Sequence, residues 1–146
     1  MDQTYAGALN QAIRLLSLRH RTRAAQLLGP LGLHPGQEAL LLEIDRTGPR
    51  NQAQLSEALG CEPPSVTLMT RKLEAAGHIE RTPDPTDKRA SIVALTASGQ
   101  ALADRITELW VTLAEETVRG LPADLLERLP GVLQTMSTNV SGKSAD

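Results

Sequence analysis

Residues 51–77 read NQAQLSEALGCEPPSVTLMTRKLEAAG, and they carry the clearest structural signal in the chain. Asn51 is followed three residues later by Gln54, which is a capping-box pattern. A short helix is therefore expected to follow Asn51 and to end at Gly60, and a second helix is expected over about residues 62–76. Two short helices joined by a turn that contains glycine predict a helix-turn-helix unit.

The second helix of this unit has two different faces. Val66, Met69 and Leu73 recur at helical spacing and predict a buried face. The opposite face suits a DNA major groove, because Ser and Thr are short, Arg and Lys reach phosphates or guanine edges, and Leu can contact a thymine methyl group. The candidate DNA-binding residues on this helix are Ser65, Thr67, Leu68, Arg71 and Lys72.

A hairpin is expected directly after the helix-turn-helix. Residues 78–82 and 91–95 are short extended stretches, and the two prolines in the segment between them are typical of an exposed hairpin tip. A helix-turn-helix followed by a hairpin predicts the winged form of the unit. Arg89 at the tip suits a narrow minor groove, whose negative potential attracts guanidinium groups. Asp87 is expected to pair with Arg89 and to orient it.

Helices are also predicted on the N-terminal side of this unit. Apolar residues at steps of three and four predict a helix over about residues 4–28, which Gly29 and Pro30 stop. A second helix is expected to open at His34 and Pro35, with His34 near its cap.

Two helices are predicted on the C-terminal side. Thr96 is expected to cap a long helix that reaches about Arg119, and a last helix is expected to begin near Pro122. Pro130 is expected to kink or divide that helix, because an interior proline removes a hydrogen bond. About six helices with a two- to three-stranded β-wing predict a mainly α fold.

Composition limits the class of protein. The chain has 146 residues, with 24 leucines, 18 alanines and no phenylalanine, which favours helices over sheets. Without a signal peptide or a long apolar run it is expected to be cytoplasmic and away from membranes. The net charge is −2, but residues 10–24 carry four arginines and no acid. An anion-binding surface is therefore expected in the first two thirds of the chain.

Several short motifs follow one another along the chain. They are LGLHPGQ at 31–37, QLSEALG at 54–60, SVT at 65–67 with RKLEAAG at 71–77, and DPTDKR at 84–89 followed by LTASG at 95–99. In this order they resemble the MarR family of bacterial winged helix-turn-helix transcription regulators. The resemblance extends over about residues 5–139.

The resemblance implies one MarR-like domain over residues 1–146. Its winged lobe would cover about residues 33–97, and its dimerisation helices about 4–29 and 97–139, with a flexible tail at 140–146. It implies a homodimer whose two lobes bind a pseudo-palindromic operator in double-stranded DNA. By position, Lys72 lies near the DNA backbone.

The resemblance also implies a repressor that a small aromatic acid or phenol releases from DNA. Arg14 and His20 are the candidate ligand residues, because Arg pairs with a carboxylate and His can hydrogen-bond a phenol. The alternative for His20 is a core histidine whose ring bonds a backbone carbonyl.

The sequence argues against one other class of function and leaves two alternatives open. An enzyme is not expected, because the sequence has no nucleophile and base at catalytic spacing and no phosphate-binding glycine loop. A winged module that binds only protein is the main alternative. Cys61 either packs as a small hydrophobic side chain or makes the regulator redox-responsive. One cysteine and three histidines predict no metal site, and no cofactor is expected.

Overall fold

The computed structural model describes residues 1–141 and has a mainly helical fold, as the sequence predicts. Six α-helices and one three-stranded antiparallel sheet make up this part of the chain. None of these helices is long and apolar enough to cross a membrane. In chain order the elements are α1 (Gln3–Leu28), a 3-10 turn (Gly29–Leu31), α2 (Gln37–Thr47), β1 (Arg50–Asn51), α3 (Gln52–Leu59), α4 (Pro63–Ala75), β2 (Ile79–Pro83), β3 (Ser91–Leu95), α5 (Ala97–Val118) and α6 (Ala123–Val140).

The described chain forms two compact units. The first is Met1–Leu113 and the second begins at Ala114. The first unit contains the apolar core, to which α2, α3, α4, the sheet and the first half of α5 contribute. Its largest completely buried side chains are leucine, isoleucine and valine, with one threonine: Leu40, Leu41, Leu55, Val66, Thr70, Leu73, Val93 and Ile106.

Helix α2 begins later than the sequence pattern indicates. It begins at Gln37 after an N-cap at Gly36, so the expectation that His34 and Pro35 open it is wrong. The Gln37 side chain accepts a hydrogen bond from the His34 N–H at 2.9 Å, and the Gln37 N–H donates to the His34 carbonyl at 3.1 Å. This exchange closes a turn ahead of the helix. Gly36 has a φ of +95°, which glycine adopts without strain.

The wing is a hairpin whose second strand also pairs with β1. β3 lies between β1 and β2, with Val93 opposite both Arg50 and Arg81. Val93 is fully buried and connects the sheet to the core. β3 has the predicted bounds, and β2 is displaced by one residue from the predicted stretch.

The first turn of α5 is joined to the base of the wing. The Thr96 hydroxyl donates to the Gly77 carbonyl at 2.6 Å and accepts from the Gly99 N–H at 3.1 Å, so Thr96 caps α5 as predicted. The Thr96 N–H donates to the His78 carbonyl at 3.1 Å. A Cβ atom on Gly99 would lie 1.9 Å from the His78 carbonyl oxygen. Only glycine therefore fits at this crossing.

In the second unit, α6 runs without interruption from Ala123 to Val140. Pro130 lies inside the helix and is exposed, so the predicted division of the helix does not occur. Proline removes a single bond of the ladder, and at an exposed position water can solvate the freed carbonyl. The helix also takes in residue 140, the first of the predicted tail. Residues 142–146 of that tail lie outside the described residues.

Candidate nucleic-acid interface

Local hydrogen bonds set the turn between α3 and α4. Asn51 Oδ1 accepts from the Gln54 N–H at 2.9 Å, and Gln54 Oε1 accepts from the Asn51 N–H at 3.0 Å, which confirms the capping box. Gly60 ends α3 in the left-handed conformation that glycine favours. The Ser56 hydroxyl then donates to the Cys61 carbonyl at 2.5 Å. These bonds complete a helix-turn-helix.

Helix α4 has a buried face and a solvent face. Val66, Thr70 and Leu73 are buried, and the Thr70 hydroxyl is satisfied by the Val66 carbonyl at 2.7 Å. Leu68 is 55% exposed, in a position where it can touch another molecule. The structure places four of the five predicted α4 residues on the solvent face: Ser65, Leu68, Arg71 and Lys72.

Thr67 is half-buried at the edge of that face. Its hydroxyl lies 3.1 Å from Gln52 Oε1 and 3.0 Å from the Pro63 carbonyl oxygen. Both neighbours are acceptors and a hydroxyl has one proton, so that proton is used inside the protein. While these contacts hold, Thr67 can accept a hydrogen bond from DNA but not donate one. Its contact with Gln52 also joins α4 to the first turn of α3.

The wing tip is organised mainly by Asp84, which the sequence analysis did not single out. Asp84 is buried, and its Oδ1 accepts from both the Thr86 N–H and the Thr86 hydroxyl at 2.8 Å. These bonds hold the pKa of the Asp84 carboxyl below its ordinary value. The Asp84 N–H donates to the Ala90 carbonyl at 3.1 Å and closes the loop. The Asp-Pro-Thr order is a local turn signal that could have identified this role.

Asp87 acts on the backbone of Arg89. Its Oδ1 accepts from the Arg89 N–H at 2.9 Å, and its carbonyl accepts from the Ala90 N–H at 3.0 Å. The expected ion pair with the Arg89 guanidinium is therefore replaced by a turn that fixes the Arg89 backbone. The Arg89 side chain is exposed. Its charge is available to a ligand outside the protein.

A recess brings three of the predicted site residues together. Thr67, Asp87 and Arg89 line it, along with Asn51 at the start of α3 and Arg81 on β2. Its volume is about 400 Å³. The wing tip therefore lies beside the N-terminal end of the helix-turn-helix. The two predicted DNA-contacting elements face one region of space.

An ion pair that the sequence analysis did not find links the wing to α4. Arg81 Nε on β2 lies 2.9 Å from Glu74 Oε2 on α4. The hydrogen bond from Arg81 lowers the pKa of the Glu74 carboxyl, and the same bond raises the pKa of Arg81. The two residues are seven positions apart across the turn at Gly77, so no helical or strand spacing predicts their contact.

The candidate ligand residues, Arg14 and His20, lie on α1. Both are exposed in the single chain, so His20 is not the core histidine of the alternative interpretation. Six residues of helix separate them by about 9 Å along its axis. The structure does not bring either of them to the recess beside Arg89.

Cys61 lies in the turn between α3 and α4. It is half-buried, packs against the core, and its Sγ lies 3.6 Å from the Leu59 carbonyl oxygen. These contacts suit a small hydrophobic side chain. Within residues 1–141, no three His, Cys, Asp or Glu side chains are grouped so that they could hold a metal ion.

Known proteins share this architecture. The family model described as "MarR family" matches residues 33–91. YwoH of Bacillus subtilis, an uncharacterized helix-turn-helix-type transcriptional regulator, is 30% identical over 108 residues, which are 74% of this chain and 75% of YwoH. The multiple antibiotic resistance protein MarR of Escherichia coli is 27% identical over 127 residues, which are 86% of this chain and 88% of MarR.

A solved structure extends the comparison to DNA. It is a mutant of Escherichia coli MarR complexed with operator DNA, and it is 25% identical to this chain with a TM-score of 0.78. The match covers 93% of this chain and 99% of that one. Sequence relatives and structure agree with the winged helix-turn-helix described above. The chain belongs to the MarR family, whose members are DNA-binding transcription regulators and not enzymes.

Proposed function

We propose that this protein is a homodimeric repressor that binds a pseudo-palindromic operator in the cytoplasm and is released by a small anionic aromatic ligand. The observation that carries the DNA-binding part is the position of the exposed α4 face beside the wing that bears Arg89. One element suits the major groove and the other the adjacent minor groove. A relative of the same fold, a mutant of Escherichia coli MarR, has been solved in complex with operator DNA, which supports DNA binding by this chain.

Each predicted contact residue has a defined role in this proposal. Ser65 and Arg71 meet base edges, Leu68 meets a thymine methyl group, and Lys72 meets a phosphate. Arg89 enters the minor groove, and Asp87 fixes its backbone. Thr67 supports α4 through Gln52 and accepts a hydrogen bond from DNA.

Exposed apolar side chains support the dimer. On α1, Leu16 is 48% and Leu18 56% exposed in the single chain. On α6, Leu125 is 38% and Leu133 46% exposed. Apolar patches of this kind mark surfaces that another molecule covers. A second copy of the chain is the proposed cover, and light scattering should give twice the mass of 15.7 kDa.

The repressor logic is a shift between two dimer shapes. A ligand that prefers the shape whose α4 helices do not match the half-site spacing lowers operator affinity by its differential affinity for that shape. Arg14 and His20 remain the candidate ligand residues suggested by the family resemblance. Their replacement with Ala should abolish ligand-induced release and leave DNA binding intact.

Fluorescence anisotropy over a series of salt concentrations tests the DNA-binding part. The DNA is the region upstream of the protein's own gene, with a randomised pool as the second sample. We expect tight binding that weakens steeply with salt, because phosphate contacts release counterions. Arg89→Ala should lower the affinity about tenfold or more.

Arg105→Ala is the matched control, because Arg105 is an exposed arginine on α5 that pairs with Glu108. It removes the same charge without touching the wing, and its affinity should stay within about twofold of wild type. Equal losses in the two variants would refute the role of Arg89. Failure to select any sequence from the pool would favour the module that binds only protein.

A further inference from the structure

Glu62 is an exposed acid at the N-terminal end of α4, and the DNA contacts assigned above leave it without a role. It is the N-cap residue of the helix, but its side chain does not cap the first turn. Within residues 1–141, no hydrogen bond or ion pair holds its carboxylate. Residues 62–65 are all exposed. The carboxylate is therefore able to meet another molecule.

The first turn of α4 offers no backbone hydrogen-bond donor. Pro63 and Pro64 have no N–H. The Ser65 N–H donates to the Glu62 carbonyl at 3.0 Å, and the Val66 N–H donates to the same carbonyl at 3.3 Å. Helix N-termini bind phosphate through backbone N–H groups at these positions, and α4 has none to give. The negative charge of Glu62 also repels a phosphate.

The position of Glu62 suits a base edge. In a recognition helix, the N-terminal residues meet base edges in the major groove. Glu62 lies one turn before Ser65, the first α4 residue assigned to a base. Because charge excludes a phosphate, the partner that remains is a hydrogen-bond donor on a base. In the major groove these donors are cytosine N4 and adenine N6.

The chemistry of a carboxylate selects between these two bases. Adenine presents the acceptor N7 beside its N6 donor, and an ionised carboxylate, which can only accept, is repelled by N7. Cytosine presents N4 with no acceptor beside it. Cytosine is therefore the base that Glu62 favours. An amide in the same position has both a donor and an acceptor, which match adenine N7 and N6.

We propose that Glu62 is a specificity-determining residue that accepts a hydrogen bond from cytosine N4 in each half-site of the operator. This inference rests on the proposed function, because it assigns a base to the same DNA-binding helix. The charge of Glu62 opposes binding to DNA that offers no such donor. Glu62 thus lowers the affinity for non-specific DNA and raises the preference for one base.

A purely structural role for Glu62 has a different signature. An acid at the N-terminus of a helix stabilises the helix through the macrodipole. That effect changes the stability of α4 and does not depend on the sequence of the DNA. Base preference therefore separates the two roles, and thermal denaturation of each variant measures the structural one.

Selection from a randomised DNA pool by the full-length protein, with sequencing of the bound DNA, tests the proposal. We expect wild type to select cytosine at one position in each half-site. Glu62→Gln should select adenine there, with the ratio of cytosine to adenine changed by about tenfold or more. Glu62→Ala should lose the preference at that position and keep the rest of the site. The control Glu57→Gln, which removes the same charge from an exposed position on α3, should select the wild-type site.

Anisotropy with DNA that lacks the site gives a second readout. Glu62→Gln should bind this DNA more tightly than wild type, with the same dependence on salt, because no phosphate contact is gained. A site that stays the same at every position in both Glu62 variants would overturn the proposal, whatever their stability. Failure of wild type to select any sequence would count against the proposed function, and the role of Glu62 would fall with it.

Discussion

Helix α4 and the wing tip face the same recess, but different forces hold them. α4 is fixed by apolar burial, with Val66 and Leu73 almost entirely removed from solvent. The wing tip is fixed by polar bonds to Asp84 and Asp87, and by the ion pair between Arg81 and Glu74. Apolar burial involves no titrating group and no charge for salt to screen, whereas bonds to carboxylates depend on pH and are screened by salt. The position of α4 is therefore fixed once the core has folded, whereas the order of the wing tip depends on pH and salt.

Leu73→Ala should have the largest effect, because it removes core packing beneath α4. We expect the free energy of unfolding to fall by about 2–5 kcal/mol in urea denaturation. Leu68→Ala makes the same chemical change on the exposed face of the same helix, and should change stability by less than about 0.5 kcal/mol. Similar losses in both variants would show that burial is not what holds α4.

Asp84→Ala should weaken DNA binding with a much smaller effect on the fold. Loss of the two bonds to Thr86 frees the loop that presents Arg89, and we expect an affinity loss of about tenfold by anisotropy. Glu80→Ala, at an exposed residue of β2, is the control and should bind as wild type or slightly better. Wild-type affinity in Asp84→Ala would mean that the wing tip needs no such support.

Glu74→Gln should have a smaller effect. It replaces the ion pair by a hydrogen bond from the cationic Arg81 to a neutral amide, and both side chains are about one third exposed. Exposed pairs contribute little, so we expect a change of about two- to threefold in DNA affinity. Glu57→Gln, at an exposed residue of α3, removes a charge without breaking this link and controls for net charge. The difference between the two variants should shrink at high salt.

The smallest signal expected is the acid titration of the wing tip. The pKa of Asp84 is lowered in the folded chain, so its stabilising effect is fully present above the ordinary aspartate pKa of 3.8. The effect is lost as the pH falls through the lower folded value. The amide chemical shift of Thr86 should follow this titration in wild type and stay flat in Asp84→Asn. A shift at the amide of Gln54, whose cap contains no carboxylate, would indicate general acid unfolding.

Local patterns predicted the fold well wherever the partners are close in sequence. Asn51 and Gln54 bond each other across one turn of helix, and the Thr96 cap is equally local. The predicted start of α2 was wrong because it was based on His34 and Pro35 without the side chain of Gln37. The long Gln37 side chain reaches back to His34 and closes a turn there. The predicted division of α6 at Pro130 was wrong for a comparable reason. The energetic cost of an interior proline depends on whether its position is exposed, which the local sequence does not show.

The candidate site was predictable to the same extent. Residue type and helical spacing identified the exposed face of α4, and the composition of the hairpin identified Arg89. The pairing of Arg81 with Glu74 depends on how β2 returns beside α4, which no local period records. The contact of Thr67 with Gln52 of α3 is likewise absent from any local period, whereas its contact with the Pro63 carbonyl lies within α4. Tertiary contacts of this kind decide which polar groups are left for DNA.

The close crossing at Gly99 has a mechanical consequence. The backbone of Gly99 packs directly against the backbone of His78, with no side chain between them. The first turn of α5 and the base of the wing are therefore held rigidly together. The Thr96 hydroxyl bonds the Gly77 carbonyl on one side and the Gly99 N–H on the other. Because the two backbones are in direct contact, a tilt of the first turn of α5 is expected to move the hairpin with it. Gly99, which lies far from the wing tip, thus couples the position of that tip to α5.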